Sequence, residues 1–226
     1  MGGVNKPTRY GAIAFSAATA RRQHSGGGFT VHGRRMADGA DIGEPEELEP
    51  QVAGLIRAAD SFYLATVTGS GWPYIQHRGG PTGFVHVLDA ATIAWAEYPG
   101  NNQFVTLGNL DTDDRVALFF IDYPTRTRVK IFGRAEVVER ADDPELLDRL
   151  LTTSAGPIDA RSDRAFVVRI EAFDRNCTKN ITPRYRTEWI QDYARAGRAP
   201  LEAEIDRLRQ RNAELEAEIA RLRSPS

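Results

Sequence analysis

Between residues 61 and 176 the chain keeps returning to short runs of β-branched and aromatic residues with only a few turn-forming residues between them. "SFYLATVT" and "PYIQHR" flank Gly69–Gly71, and "GFVHVL" and "TIAWAE" flank Asp89–Ala91, so each pair reads as a hairpin. "RVALFFID" and the long "TRVKIFGRAEVVER" meet at the turn signal Tyr123–Pro124, and "RAFVVRIEAFDRNC" supplies a last strand. Six or seven strands at such close spacing predict a compact antiparallel barrel. The helical periods lie around it. Val52, Leu55, Ile56 and Ala59 form one stripe over Glu46–Asp60. "NNQFVTLGN" reads as a short helix between strands, and "DDPELLDRLLTT" as a helix with an acidic, proline-marked start.

The C-terminal run "LEAEIDRLRQRNAELEAEIARLR" changes period again. Leu201, Leu208, Leu215 and Leu222 fall at d, with Ile205, Asn212 and Ile219 at a. β-Branched a with leucine d favours a two-stranded parallel coil, and a lone asparagine at a fixes its register. The pairs Glu204–Arg209, Arg211–Glu216 and Glu218–Arg223 are opposite in sign, as that pairing needs. The expectation is a parallel homodimer with the coil from Leu201 to Leu222 as a secondary clamp; an amphipathic helix lying on the domain is the alternative. The division expected is an N-terminal arm over residues 1–45, partly flexible, a barrel over 46–190, and a linker with coiled coil over 191–226. In the arm, Ser25–Gly28 and Asp38–Gly43 read as linker, and "RYGAIAFSAATARRQ" as a short helix.

Charge and cysteine usage narrow the function classes. A formal net charge of −2 argues against a general nucleic-acid or anionic-membrane binder. No run approaches the roughly 18–20 apolar residues that span a bilayer. One cysteine, Cys177, makes no internal disulfide and fits a reducing cytoplasm. It reads as a small core filler, not a nucleophile. The four histidines, His24, His32, His77 and His86, have no zinc-like spacing, so no metal site is expected.

Taken together, "FYLATVTGSGWPYIQHRGGPTGF", "PGNNQF", "RVALFFIDYPTRTRVKIFGRAEVV" and "DRNCTKNITPRY" resemble the pyridoxamine 5′-phosphate oxidase-like, FMN-binding split-barrel family over roughly residues 46–190. The resemblance implies a mainly β (α+β) fold: a six-stranded antiparallel split barrel with flanking helices, here extended by a C-terminal coiled-coil helix. It implies an obligate dimer with two FMN molecules in the interface. The family's phosphate-binding strand aligns its basic start on Gln76, with His77 and Arg78 following, and Gly79 and Gly80 would let backbone N–H groups approach the ligand. A surface salt bridge for Arg78 and a structural hydrogen bond for His77 are the alternatives. The family's Ser-Arg-Lys block matches Asn101, Asn102 and Gln103, which keep hydrogen-bonding capacity and lose both charges; Asn101 could equally cap the helix. On a strand Arg126, Arg128 and Lys130 share one face, and Arg128 matches the ring-contacting position; a solvated cationic face is the alternative. By resemblance Asn176, Cys177 and Arg184 lie near the flavin.

The implied activity is an FMN-dependent oxidation or reduction of a small-molecule substrate, with NAD(P)H visiting as a substrate, because the chain has neither a GxGxxG element nor a Walker loop. Pyridoxamine phosphate oxidation itself is not expected: where active members carry a C-terminal Trp and an Arg-Leu-His type motif, this chain has "PRYRTEWIQDYARAG". Two other classes fit the same residues. One is a flavin-binding module without turnover, whose coil recruits a partner. The other is a related split barrel that takes deazaflavin or haem.

Overall fold

The computed structural model describes residues 8–32, 43–176 and 179–223. In the unit Met1–Ile181, seven strands make one antiparallel sheet in the order β2-β1-β5-β6-β9-β4-β3. They are β1 Ser61–Val67, β2 Pro73–Gly79, β3 His86–Asp89, β4 Thr92–Ala96, β5 Arg115–Asp122, β6 Thr127–Glu139 and β9 Arg164–Asn176. The fold is α+β and split-barrel-like; its seven strands fall within the six or seven that the spacing predicts and are one more than the resemblance implies. A separate two-stranded ladder joins β7 Thr152–Thr153 to β8 Gly156–Pro157. It takes the end of the run in which the sequence predicts continued helix.

Side-chain contacts make the sheet a barrel. Strands β1 and β4 are four places apart in the order, yet Phe62 on β1 meets Trp95 on β4 edge-on with ring centroids 4.9 Å apart. The sheet must therefore curl until its inner faces touch. Phe62 also stacks on Phe120 at 4.8 Å, and Trp95 on Phe166 at 5.3 Å. Leu64, Leu118, Val129, Ile131 and Val168 fill the remaining space, all buried. Each such side chain contributes about 1.5–3 kcal/mol by leaving water.

Helix α4, Pro50–Ala58, closes one side with Val52 and Ile56 inward. It begins four residues later than its apolar stripe suggests. Pro50 sits at the first turn, where its missing N–H costs nothing. Glu46 is used elsewhere: its N–H donates to the Glu171 carbonyl, and its carboxylate accepts from the N–H groups of Tyr10 and Phe173.

The N-terminal arm contains α1 Arg9–Ala14, α2 Ala17–Ser25 and α3 Phe29–His32. Tyr10 is buried, stacks on Phe132 at 5.3 Å, and lies under the Lys130 ammonium. The first of these helices thus covers the outer side of β6. Ser25, expected in a linker, ends a capped helix; the second expected linker falls, but for Gly43, outside the described residues.

The unit Thr182–Ser226 is mostly the 37-residue helix α7, Thr187–Arg223. Residues 191–200, expected as linker, are helical through Gly197 and Pro200. Leu201, Ile205, Leu208, Leu215, Ile219 and Leu222 are all exposed on it. Among the described residues no helix is long and apolar enough to cross a membrane.

Candidate functional site

A barrel that curls without closing its ladder leaves a seam. Among the described residues β2 pairs only with β1, and β4 with β3 and β9, so the edge of β2 faces the end of β4 without backbone bonds. A cleft opens there, with a cavity of about 170 Å³. Strand alternation sends Tyr74, Gln76 and Arg78 of β2 into it. The opposite wall is the 97–104 loop after β4, with Thr106 of α5 (Val105–Leu110) and Arg164 at the start of β9.

Short polar contacts hold these walls. The Thr106 hydroxyl donates to Gln76 Oε1 at 3.0 Å, leaving the Gln76 amide N–H groups for other acceptors. Beneath it, buried Asn109 donates to Thr66 Oγ1 at 2.8 Å and ties α5 to β1. Asn101 caps the loop and not the helix: its Oδ1 accepts from the Gln103 N–H at 3.2 Å. The N-cap position belongs to Phe104, which has no side-chain cap bond. Asn102 and Phe104 both take left-handed backbone conformations, at φ 58° and 52°. For phenylalanine that conformation costs roughly 1–2 kcal/mol, and its ring is still 54% exposed at the cleft, 5.7 Å from the Arg164 guanidinium. Phe104→Gly is therefore expected to stabilise the fold by about 1 kcal/mol. An unchanged or lower melting temperature would mean that the ring packing outweighs the backbone strain.

Charge at the seam is shared around one carboxylate. Arg78 Nη1 reaches Glu97 Oε1 at 3.4 Å, and Arg164 Nη1 reaches Glu97 Oε2 at 3.1 Å. Arg164 Nε also donates to Glu139 at 3.1 Å. The Arg78 and Glu97 side chains are only 14% and 16% exposed. Burial pushes the Arg78 guanidinium below its ordinary pKa against the opposing pull of Glu97. For Arg164 burial acts the same way, but hydrogen bonds to Glu97 and Glu139 prevail and raise it. The Arg78 guanidinium lies over the Phe166 ring at 5.2 Å, and its Nε is buried with no hydrogen-bond partner. The Tyr98 hydroxyl, also buried without a partner, has its pKa raised by burial.

The structure brings together Gln76, Arg78, Asn101, Asn102 and Gln103. It separates the others. His77 alternates to the outer face of β2, where its ring meets Tyr63 at 5.7 Å. Arg126 is in the turn before β6 at φ 57°, not on the strand face expected for it. Arg128 and Lys130 do share a face, but Val129 and Ile131 own the inner side, so both cations point outward, and Lys130 pairs with Asp174 at 3.5 Å. Asn176 ends β9 opposite Arg128; Cys177 lies outside the described residues, and Arg184 belongs to the second unit. The glycines serve the turn: a Cβ on Gly80 would lie 2.6 Å from Phe84 Cγ, and its N–H is spent on the Asp60 carbonyl at 3.0 Å. Sequence reasoning missed Glu97, Tyr98, Phe104, Thr106 and Arg164. Glu97 carried one usable signal, a charge ending the buried run "TIAWA"; Arg164 carried none, being 67 residues from the carboxylate it meets. Among the described residues no group of three or more His, Cys, Asp or Glu could hold a metal ion.

An antiparallel barrel with one unladdered seam and arginines gathered at it defines a protein of the split-barrel class. The family model for pyridoxamine 5′-phosphate oxidase matches residues 48–177, more than half of the chain, and the chain belongs to that family. Among solved structures it is similar to a putative pyridoxamine 5′-phosphate oxidase from Lactobacillus delbrueckii, at 23% identity and TM-score 0.43, over 57% of this chain and 93% of that one. It is also similar to HupZ of Group A Streptococcus, at 14% identity and TM-score 0.45, over 61% and 99% of the two chains. A conserved hypothetical protein from Mycobacterium tuberculosis gives 18% identity and TM-score 0.46, over 66% and 97%. No curated protein matches the chain.

Proposed function

We propose that the chain is an FMN-dependent oxidoreductase, working as a homodimer with the flavin phosphate bound at the seam. The observation that carries this is Arg78: a mostly buried guanidinium in a cleft, with one N–H group unsatisfied. A buried donor without a partner costs about 1–3 kcal/mol, which an anionic ligand recruiting Arg78 repays. The donor set fits a phosphate ester. Arg78 and Arg164 supply charge, the Gln76 amide, oriented by the Thr106 hydroxyl, supplies a neutral donor, and the 101–103 loop supplies backbone and amide groups. Bound FMN would supply hydride transfer. The chain's own residues would orient it, with Arg78 holding the phosphate and the Tyr74 and Phe104 rings walling the cleft. NAD(P)H would then act as a diffusing reductant.

The dimer is part of the proposal. A cavity of about 170 Å³ is smaller than the roughly 300–1,000 Å³ of a cofactor site, which supports completion by a second copy. The outer face beside the seam is apolar: Ile75 is 65% exposed and stands next to Ala65 and near Tyr63, with Trp72 73% exposed at the hairpin end. The exposed stripe of α7 suits a parallel coil as a second clamp. Its present i,i+3 ion pairs, such as Arg207–Glu204 at 2.7 Å, are worth only about 0.3–0.5 kcal/mol each, so they yield readily to pairs between helices. Deleting residues 200–226 is expected to leave the barrel dimeric in sedimentation runs; monomers would make the coil the principal contact.

The test of the function is the visible absorption of protein purified without added cofactor, the mass of any released ligand, and titration with FMN. A yellow protein releasing FMN supports the proposal. A colourless protein that takes up no FMN rejects it. Because Glu97 offsets Arg78 at the seam, a second reading keeps the split barrel with deazaflavin or haem as ligand, and the released mass decides between them.

A further inference from the structure

The seam contains more charge than a phosphate site needs, and it is balanced. The charged residues that line the cleft are Arg78 and Arg164 against Glu97 and Asp163, two positive and two negative, while Glu139, outside the lining, pairs with Arg164 Nε. Glu97 is the centre of this arrangement. Each of its oxygens takes an Nη1 group, one from Arg78 on β2 and one from Arg164 on β9. The Glu97 N–H also donates to the Arg164 carbonyl at 2.9 Å, which extends the β4–β9 ladder, so the carboxylate reaches from that laddered pair across to β2, which pairs with neither strand. The contact to Arg78 is the longer, at 3.4 Å against 3.1 Å, and it leaves the Arg78 Nε buried without a partner. Glu97 thus occupies the Arg78 guanidinium without satisfying it.

We infer that Glu97 is the resident counter-ion of the seam and sets its selectivity between phosphorylated and unphosphorylated ligands. This rests on the reading of the seam as the flavin-phosphate site. An arriving phosphate must take Arg78 and Arg164 from Glu97 and then sit beside a carboxylate in a partly dry cleft, where like charges repel far more strongly than in water. Neither cost falls on a ligand without a phosphate. Glu97 therefore makes the phosphorylated ligand an exchangeable one. The substitution Glu97→Gln preserves shape and one acceptor while removing the charge, so it releases both guanidiniums for the ligand.

The experiment compares FMN and riboflavin on wild type and Glu97→Gln, by quenching of flavin fluorescence. FMN is expected to bind the variant at least tenfold more tightly, with riboflavin changed less than twofold. FMN binding that is unchanged or weaker in the variant overturns the inference and makes Glu97 a scaffold for Arg78. Equal tightening of both flavins also overturns it, because the effect is then not on the phosphate. If Glu97→Gln fails to fold, Glu97→Ala is read by the same ratio of the two flavins. If neither flavin binds any of the proteins, the flavin reading fails, and inorganic phosphate becomes the probe. A phosphate-induced rise in melting temperature that is larger in the Glu97 variant supports the counter-ion role; no rise in either protein overturns it.

Discussion

Gly133→Ala is expected to cost about 2–3 kcal/mol of stability, lowering the melting temperature by roughly 5–10 °C for a domain of this size. A Cβ at this position would lie 2.6 Å from Val168 Cγ1 and 2.7 Å from the Arg169 carbonyl oxygen, and backbone cannot turn aside as a flexible side chain can. The closeness comes from a bulge. Along β6 and β9 the partner of Phe132 is Ala172, but the partner of Gly133 is Ile170, so Glu171 is left over. That extra residue is used. Its carbonyl accepts from the Glu46 N–H, and its carboxylate takes both Arg9 and Arg134. Although burial opposes it, the two arginines hold the Glu171 carboxyl below the usual carboxylate range. The bulge thus anchors the N-terminal arm as well as bending the sheet. The control is Gly54→Ala in α4, where an added Cβ meets nothing within 4 Å; there alanine should stabilise by about 0.5–1 kcal/mol. Calorimetry on the two variants checks the pair, and equal melting temperatures would rule out close approach at Gly133.

Arg78→Ala is expected to weaken FMN binding by about 1.5–3 kcal/mol, a factor of roughly ten to 150, through loss of a charge-assisted contact. The fold should survive, because Glu97 keeps Arg164 at 3.1 Å when Arg78 is gone and is not left as a bare buried charge. Fluorescence titration gives the affinity, and thermal melting followed by circular dichroism separates it from unfolding. An unchanged dissociation constant with normal melting would remove Arg78 from the ligand site. Opposite signs at neighbouring residues make the pair with Glu97→Gln informative: one variant removes the ligand's charge partner, the other the competitor for it.

Much of this protein is local physics and could be read in the chain. Hairpins at Gly69–Gly71 and Asp89–Ala91 follow from turn residues between β-prone runs, and both formed with the expected strands. Val52 and Ile56 went inward because a 3.6-residue period has only one apolar side. Family membership was legible because several blocks recur in order over one stretch, which the match to residues 48–177 bears out.

The site was legible only by halves. Gln76 and Arg78 are two residues apart and so share a strand face, whereas His77, between them, must point away; the strand period settles that once the strand is placed. The same period separated Lys130 from the cleft, since Val129 and Ile131 claimed the core. Arg126 was lost to a turn whose extent no propensity marks, and its positive φ took it off the strand. What the chain alone determined, then, was the main strands of the barrel, the helix packed on it and which side chains alternate together, because those depend on neighbours a few residues away. What tertiary structure alone decided was the bulge at Glu171 and the meeting of Arg78, Glu97 and Arg164, residues 19 and 67 positions apart. Curling the sheet brings the free edge of β2 against the end of β4, and the charges that meet across that seam are set by the register and curvature of all seven strands together.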